Sequence, residues 1–413
     1  MAVFIPFKAV RPHIELADKV AAPPYDVVDD AEARRIADAD PYSFLHITRA
    51  EVDLPEDADP YAGVVYRKAK KNIERYMSSS VLFEETKPMY YIYRITSDGF
   101  SQTGIAGCVS IDEYNDGTIK KHEVTLPEKE VDRTTHFDVC GFDTEPVLLT
   151  YRHDARIDKM INGFITGNHP EYMFTDAGGV THEVWVISDD NIISGLTGLF
   201  ASVPELYIAD GHHRSASAAS VGFKKREEHP SFDGSEDFNY FMAVLFPDDQ
   251  LRILGYNRVI RGLDGNTEDE FLTKVTNMGF HVEKADNAFV PQEKHIFGMC
   301  LEGRWYSITA EERLAGDDVI GGLDVTILQQ NILAPILGIF DPRSDHRIDF
   351  VGGSEGPERL QELTEGEYDV AFSLSPVLLG EIMTAADEGK IMPPKSTWFD
   401  PKPASGLFMH HIG

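Results

Sequence analysis

Three cysteines in 413 residues, Cys108, Cys140 and Cys300, are too few and too scattered to staple a fold. An odd count argues against a disulfide framework, and no metal-type pair is present, so all three read as reduced core residues of a protein expected in a reducing cytoplasm. Long hydrophobic runs are missing as well. None approaches the ~20 residues needed to cross a bilayer. The opening Met1-Ala2-Val3-Phe4-Ile5-Pro6-Phe7 lacks the basic and apolar regions of a standard secretion signal. Neither a membrane span nor secretion is therefore expected. Positive charge is short: 38 Lys and Arg against 69 Asp and Glu leave a formal charge of −31. Nonspecific binding to a phosphate backbone needs clustered Lys and Arg. Nucleic acid is thus not an expected partner, and a bound nucleotide would need a local positive pocket in a negative field. There is no Walker-type Gly-Lys-Ser/Thr loop, no dinucleotide fingerprint and no Gly-x-Ser-x-Gly elbow. Standard phosphate-loop kinases and serine hydrolases fit poorly.

What is present is an ordinary globular composition, 42% hydrophobic and 26% charged, long enough for roughly two or three domains. Helical spacing predicts helices over Asp29 to Ala39, ending before Pro41, and over Tyr61 to Met77. Aromatic and β-branched residues around Ser97-Asp98-Gly99 predict a hairpin, Tyr90 to Ile95 with Thr103 to Ile111. Further strands are expected at Pro146 to Tyr151, His182 to Ser188, Leu206 to Ala209, Tyr240 to Phe246 and Gly255 to Ile260, with helices between several of them. This is a mixed α/β pattern. A polar stretch with Gly265-Asn266 suggests a boundary near 262. Beyond it come a helix near Glu268 to Met278, strands near Lys294 to Leu301 and Trp305 to Thr309, an apolar helix Val325 to Leu337 and a strand Tyr368 to Leu374. Pro393 to Thr397 reads as extended, and His410-His411 as a frayed tail.

The strongest local signal is Tyr207-Ile208-Ala209-Asp210-Gly211-His212-His213-Arg214. A short apolar strand ends in Asp210-Gly211, and the small residues Ser215 to Ala219 begin a closely packed helix. Helix starts expose backbone N–H groups and the positive end of the dipole, which suits phosphate. Gly211 permits a sharp turn, His212 and His213 add donors, and Arg214 can grip an anion through two parallel bonds. The plainer alternative makes Asp210 an N-cap and the histidines surface residues. A metal site on His212 and His213 lacks a third ligand at a familiar spacing. The second signal is Lys120-Lys121-His122-Glu123, followed by Asp132-Arg133. It reads either as a positive spot with Glu123 as a general base or as a solvated strand end with routine charge pairs. His136 and Asp138 read as caps of the helix that precedes Gly141 rather than as a metal pair, and Asp345-His346-Arg347 reads as a polar turn.

Five ordered segments carry a resemblance that runs from end to end: Ala22-Pro23-Pro24-Tyr25-Asp26-Val27, Pro41 to His46, Lys121-His122-Glu123 with Asp132-Arg133, Tyr207 to Arg214, and Met392-Pro393-Pro394-Lys395-Ser396-Thr397. They resemble a large family catalogued as a domain of unknown function and related to the free-serine kinases (SerK-like). Those kinases use ADP or ATP to make O-phosphoserine on the fold of ParB and sulfiredoxin nucleotide-binding domains. The resemblance implies an α/β (α+β) chain with a ParB/sulfiredoxin-like core at 89–261, between an N-terminal flank at 1–88 and a C-terminal α/β region at 262–413. It implies Mg2+ with ADP or ATP, and a small amino acid, L-serine, as acceptor. Asp210, Gly211, His212, His213, Arg214 and Lys121 would hold phosphate, with Asp210 also a metal ligand. Glu123 would be the base, with His122 and Arg133 beside it in catalysis, and Tyr25, Asp26 and Lys395 would contact substrate. The relatives include ParB-like proteins that bind nucleotide without transferring it. A metal-dependent hydrolase built on His212 and His213 is the remaining alternative.

Overall fold

The computed structural model describes residues Met1–Gly413. The chain divides into two compact units. The first holds Met1–Lys121, Thr125–Leu251 and Pro401–Gly413, and the second His122–Val124 and Arg252–Asp400. These borders do not coincide with the expected breaks at 88/89 and 261/262. One reason is local: Phe4–Ile5 pairs as a strand with Phe100–Ser110 (Phe4 opposite Val109), which draws the N-terminal residues into the first sheet.

That sheet is mixed and nine-stranded. Its order is Ile119–Lys120, Leu206–Asp210, Val147–Tyr151, Tyr240–Pro247, Phe100–Ser110, Tyr90–Ser97, Thr181–Ile187 and Tyr172–Thr175, with Phe4–Ile5 added alongside Phe100–Ser110. The expected hairpin is present: Asp98 and Gly99 both take positive φ, 51° and 75°, the tight turn that matches strand twist. Val147–Tyr151 runs parallel to Tyr240–Pro247 and antiparallel to Leu206–Asp210, and every one of its residues is buried. A strand covered on both faces reads as an unbroken apolar run. Helices Pro127–Cys140 and His212–Glu228 pack together beside it, joined by a bond from Ser217 Oγ to the Glu130 carbonyl at 3.1 Å. Helices Asp30–Ala39 and Gly63–Ser78 form where helical spacing predicts them, the first capped by the Asp29 side chain, and Val65, Ala69, Ile73 and Tyr76 bury one face against Phe44 and Leu45. The three cysteines are buried and free.

The C-terminal residues correct the expectation of a frayed tail. His410–His411 pairs with Phe142–Asp143, and His410 is buried. Two residues cannot show the alternation that announces a strand, which hides the pairing from sequence.

The second unit is built on an antiparallel six-stranded sheet, ordered Phe280–Lys284, Arg304–Ala310, Ile296–Leu301, Val370–Leu374, Tyr256–Ile260 and Ile348–Gly352. The helix Glu268–Met278 begins with a capping box between Thr267 and Glu270. The expected helix over Val325 to Leu337 is shorter and changes pitch, α over Asp324–Leu328 and π over Gln329–Leu333. Pro335 has no N–H for the next α-helical bond, and Ala334 N reaches back to the Gln329 carbonyl instead. Pro393 to Thr397 is not extended throughout, because Lys395 takes φ 57° in a turn. No helix is long and apolar enough to cross a membrane.

Candidate anion-binding site

Strand Leu206–Asp210 slips register against Val147–Tyr151 between Ile208 and Asp210. Such a bulge bends the strand end and re-aims the side chains beyond it. Gly211 follows at φ 98°, in the left-handed region, and helix His212–Glu228 starts at the next residue. The sharp turn expected at Gly211 is thus present, and a Cβ there would lie 3.1 Å from Arg214 Nε.

Asp210 is the hub of the charges. Its Oδ2 accepts from Arg214 at 2.6 Å, and its Oδ1 accepts from Lys402 Nζ at 2.6 Å. Burial works against its charge, yet Lys402 and Arg214 hold the carboxyl well below the ordinary range. Arg214 points inward, is 4% exposed and also donates to the Pro146 carbonyl, while its Nε has no partner. Burial opposes its charge too, but Asp210, Asp26 and Glu145 keep it firmly protonated. Arg214 therefore builds the turn from inside instead of reaching out with its whole fork. His212 is buried and interacts with Asp210, and His213 Nε2 accepts from Leu126 N at 2.9 Å, at the start of the neighbouring helix.

Several expected residues converge on this hub from distant segments of the first unit. Tyr25 is buried, its N–H donates to Glu145 Oε1 at 3.1 Å, and the Arg133 guanidinium lies 4.3 Å from its ring centre. Burial, then Asp26, push the Tyr25 hydroxyl far up. Asp26 is exposed and acts electrostatically on Arg214 and Lys402. Arg133 is buried, paired with Asp132 at 2.9 Å and bonded to the Thr48 carbonyl. Lys121 places its Nζ 3.6 Å from the Tyr114 ring centre. His122, Glu123 and Lys395 belong to the second unit. There Met392 N donates to the His122 carbonyl at 2.8 Å, Glu123 is half-buried, and the Lys395 carbonyl accepts from Arg258 at 3.0 Å. His136 and Asp138 do not cap the helix but lie inside its last turns, since its end is made by Gly141, whose N–H reaches the Phe137 carbonyl, and Asp345 to Arg347 form the expected turn.

Three functional candidates have no counterpart among the sequence motifs. Lys402 stands between Pro401 and Pro403, and that proline fence was its only available signal. Glu145 is buried, accepts from Ser405 Oγ at 2.7 Å as well as from Tyr25, and leaves Oε2 unpartnered. Burial raises its pKa against the pull of Arg214 and Arg133. Asp143, two residues earlier, accepts from Met242 N at 2.8 Å and is pushed up to about 7, chiefly by burial.

A magnesium ion held by Asp210 does not fit these residues. Both carboxylate oxygens already carry cations at 2.6 Å, which a divalent ion would have to displace. No group of three or more His, Cys, Asp and Glu could hold a metal. The arrangement suits an anion instead: two cations share one carboxylate at the positive end of a 17-residue helix.

Residues 4–326 match the family described as a protein of unknown function, DUF1015. The chain belongs to that family. Lys402 and the rest of the C-terminal segment lie beyond the DUF1015 match. No curated protein sequence matches the chain. Solved structures similar to it include a free serine kinase in complex with AMP, at 13% identity and TM-score 0.36, covering 71% of this chain and 86% of that one. A conserved hypothetical protein from Pyrococcus furiosus gives 14% identity and TM-score 0.36, over 71% and 90% of the two chains. SbnI with a C-terminal truncation, from Staphylococcus aureus, gives 13% and 0.38, over 74% and 87%.

Proposed function

We propose that this DUF1015 protein is a nucleotide-dependent small-molecule kinase that moves a phosphoryl group from ADP or ATP to the hydroxyl of free L-serine. The supporting observation is the turn at Gly211. A bulged strand, a left-handed glycine and a helix start stand together with two cations on the final strand residue. Backbone N–H groups and the helix dipole supply fixed positive charge there. Phosphoryl transfer asks a protein mainly for positioning and charge neutralisation. In the proposed reaction the bond between the donor phosphorus and its bridging oxygen breaks as the serine Oγ–phosphorus bond forms. The hydroxyl proton passes to Glu123, the base that the family resemblance assigns, and the shortened nucleotide leaves with the bridging oxygen. His122, Tyr25, Asp26 and Lys395 enter as acceptor-side residues on the same basis.

Calorimetric titration with ADP, run beside a product assay, tests the reading. Glu123→Gln should bind ADP like the wild type and form no phosphoserine. A variant with unchanged turnover would remove Glu123 from the reaction. ADP binding with no transfer to any hydroxyl amino acid would favour a nucleotide-binding regulator.

A further inference from the structure

The segment that carries Lys402 is fastened to the first unit on both sides of that residue. Before it, Gln102 Nε2 donates to the Pro401 carbonyl at 2.8 Å. After it, Ala404 N donates to Tyr93 Oη at 3.1 Å, Ser405 exchanges two backbone bonds with Ala22, and Ser405 Oγ reaches Glu145. Further on, Met409 pairs with Val10. Pro401 and Pro403 limit the backbone on either side of the lysine. Its backbone is therefore fixed before the side chain makes any contact, and the four-carbon stem delivers Nζ to Asp210 Oδ1 with the side chain 14% exposed.

A structural role alone accounts poorly for this placement. Arg214 already satisfies Asp210 from within the same turn, four residues along the chain. A second buried cation on one carboxylate costs desolvation that a single pair would avoid. Arg214 Nε, buried without a hydrogen-bond partner, lies against Gly211 and brings its positive charge to the same turn. The helix start can serve one phosphate through its N–H groups. Lys402 reaches Asp210, the residue just before that turn, where an adjoining phosphate would lie.

We propose that Lys402 is a nucleotide-binding residue that contacts the phosphate chain beyond the first phosphate, and that Asp210 holds its ammonium in position for that contact. This rests on the nucleotide reading given above. The helix start takes one phosphate, and Lys402 takes the next. The C-terminal segment is then part of the binding site, although it lies outside the family match.

The test compares ADP with AMP, which lacks the outer phosphate, by calorimetric titration of the full chain. Lys402→Met should weaken ADP tenfold or more and AMP by much less, while Lys402→Arg should keep ADP within a few-fold of the wild type. Equal losses for ADP and AMP, or an unchanged ADP affinity, would overturn the role of Lys402. Should Lys402→Met fail to fold because Asp210 is left with less compensation, the Asp210→Asn/Lys402→Met double variant is compared with Asp210→Asn alone, with the same selective loss of ADP expected. A wild-type chain that binds neither nucleotide would instead overturn the nucleotide reading itself.

Discussion

Burial holds the Asp143 carboxyl up to about 7, with one oxygen on Met242 N and the other unpartnered. Its folded pKa thus lies above the ordinary carboxyl value. The stability that comes with the neutral form is full below about pH 4 and is lost as pH rises to about 7, on the order of a few kcal/mol. Asp143→Asn removes that titration. In urea unfolding across a pH series, the stability difference should move in the variant's favour from pH 4.5 to 7 and stay constant above. A difference independent of pH would contradict a raised Asp143. His410, pushed down to about 3 chiefly by burial, works in the opposite sense, losing stability as pH falls below the ordinary histidine range. The wild-type profile alone therefore conceals Asp143.

Gly211 is the other residue whose chemistry can be stated sharply. An alanine there would carry a left-handed backbone and set its Cβ 3.1 Å from Arg214 Nε. Gly211→Ala should cost about 1–2 kcal/mol for the backbone alone, read by denaturant midpoint, and should weaken ADP binding as Arg214 is displaced. Unchanged stability and affinity would mean that the turn tolerates a side chain. The glycine turn was legible in the sequence because a short apolar strand followed by Asp-Gly and small residues has few other uses. The inward direction of Arg214 was not, since adjacent letters do not reveal which side of a helix start faces the core.

At the scale of elements, the helix His212–Glu228 seats its small residues against Pro127–Cys140 and the sheet, with Ser215 to Ala219, Val221 and Gly222 buried. Gly222 is the closest approach. A Cβ would overlap the Phe238 carbonyl oxygen and come 2.6 Å from Ile111 Cδ1. Replacing a helical glycine with alanine gains up to about 1 kcal/mol of propensity. Overpacking against backbone costs about 1–3 kcal/mol, so Gly222→Ala should destabilise, with a lower thermal midpoint. A higher midpoint would mean that the helix can shift away. Long periodic elements such as Gly63–Ser78, Tyr90–Ser97 and Glu268–Met278 were readable because each presents several turns or alternations. Two-residue strands such as His410–His411 and Phe142–Asp143 exist only through their partners.

At the scale of the whole chain, sequence order conceals how the first unit is assembled. Tyr25, Asp143, Glu145, Asp210, Arg214, Lys402 and Ser405 come from four distant segments and meet in one charged group. Only Tyr25, Asp210 and Arg214 could be picked out by motif. The others needed the return of the C-terminal segment and the pairing beside Asp143, which no local pattern encodes. The net charge of −31 adds a physical constraint. An anion would meet a repelling surface on approach, so a site for one needs a local concentration of cations, such as the pairing of Arg214 and Lys402 on one carboxylate.

The most direct measurement incubates the purified full-length protein with ADP or ATP and a pool of hydroxyl amino acids and follows phosphorylated products by mass spectrometry. The account predicts O-phosphoserine that depends on both nucleotide and protein and is abolished in Glu123→Gln. No phosphorylated amino acid with either nucleotide would contradict it.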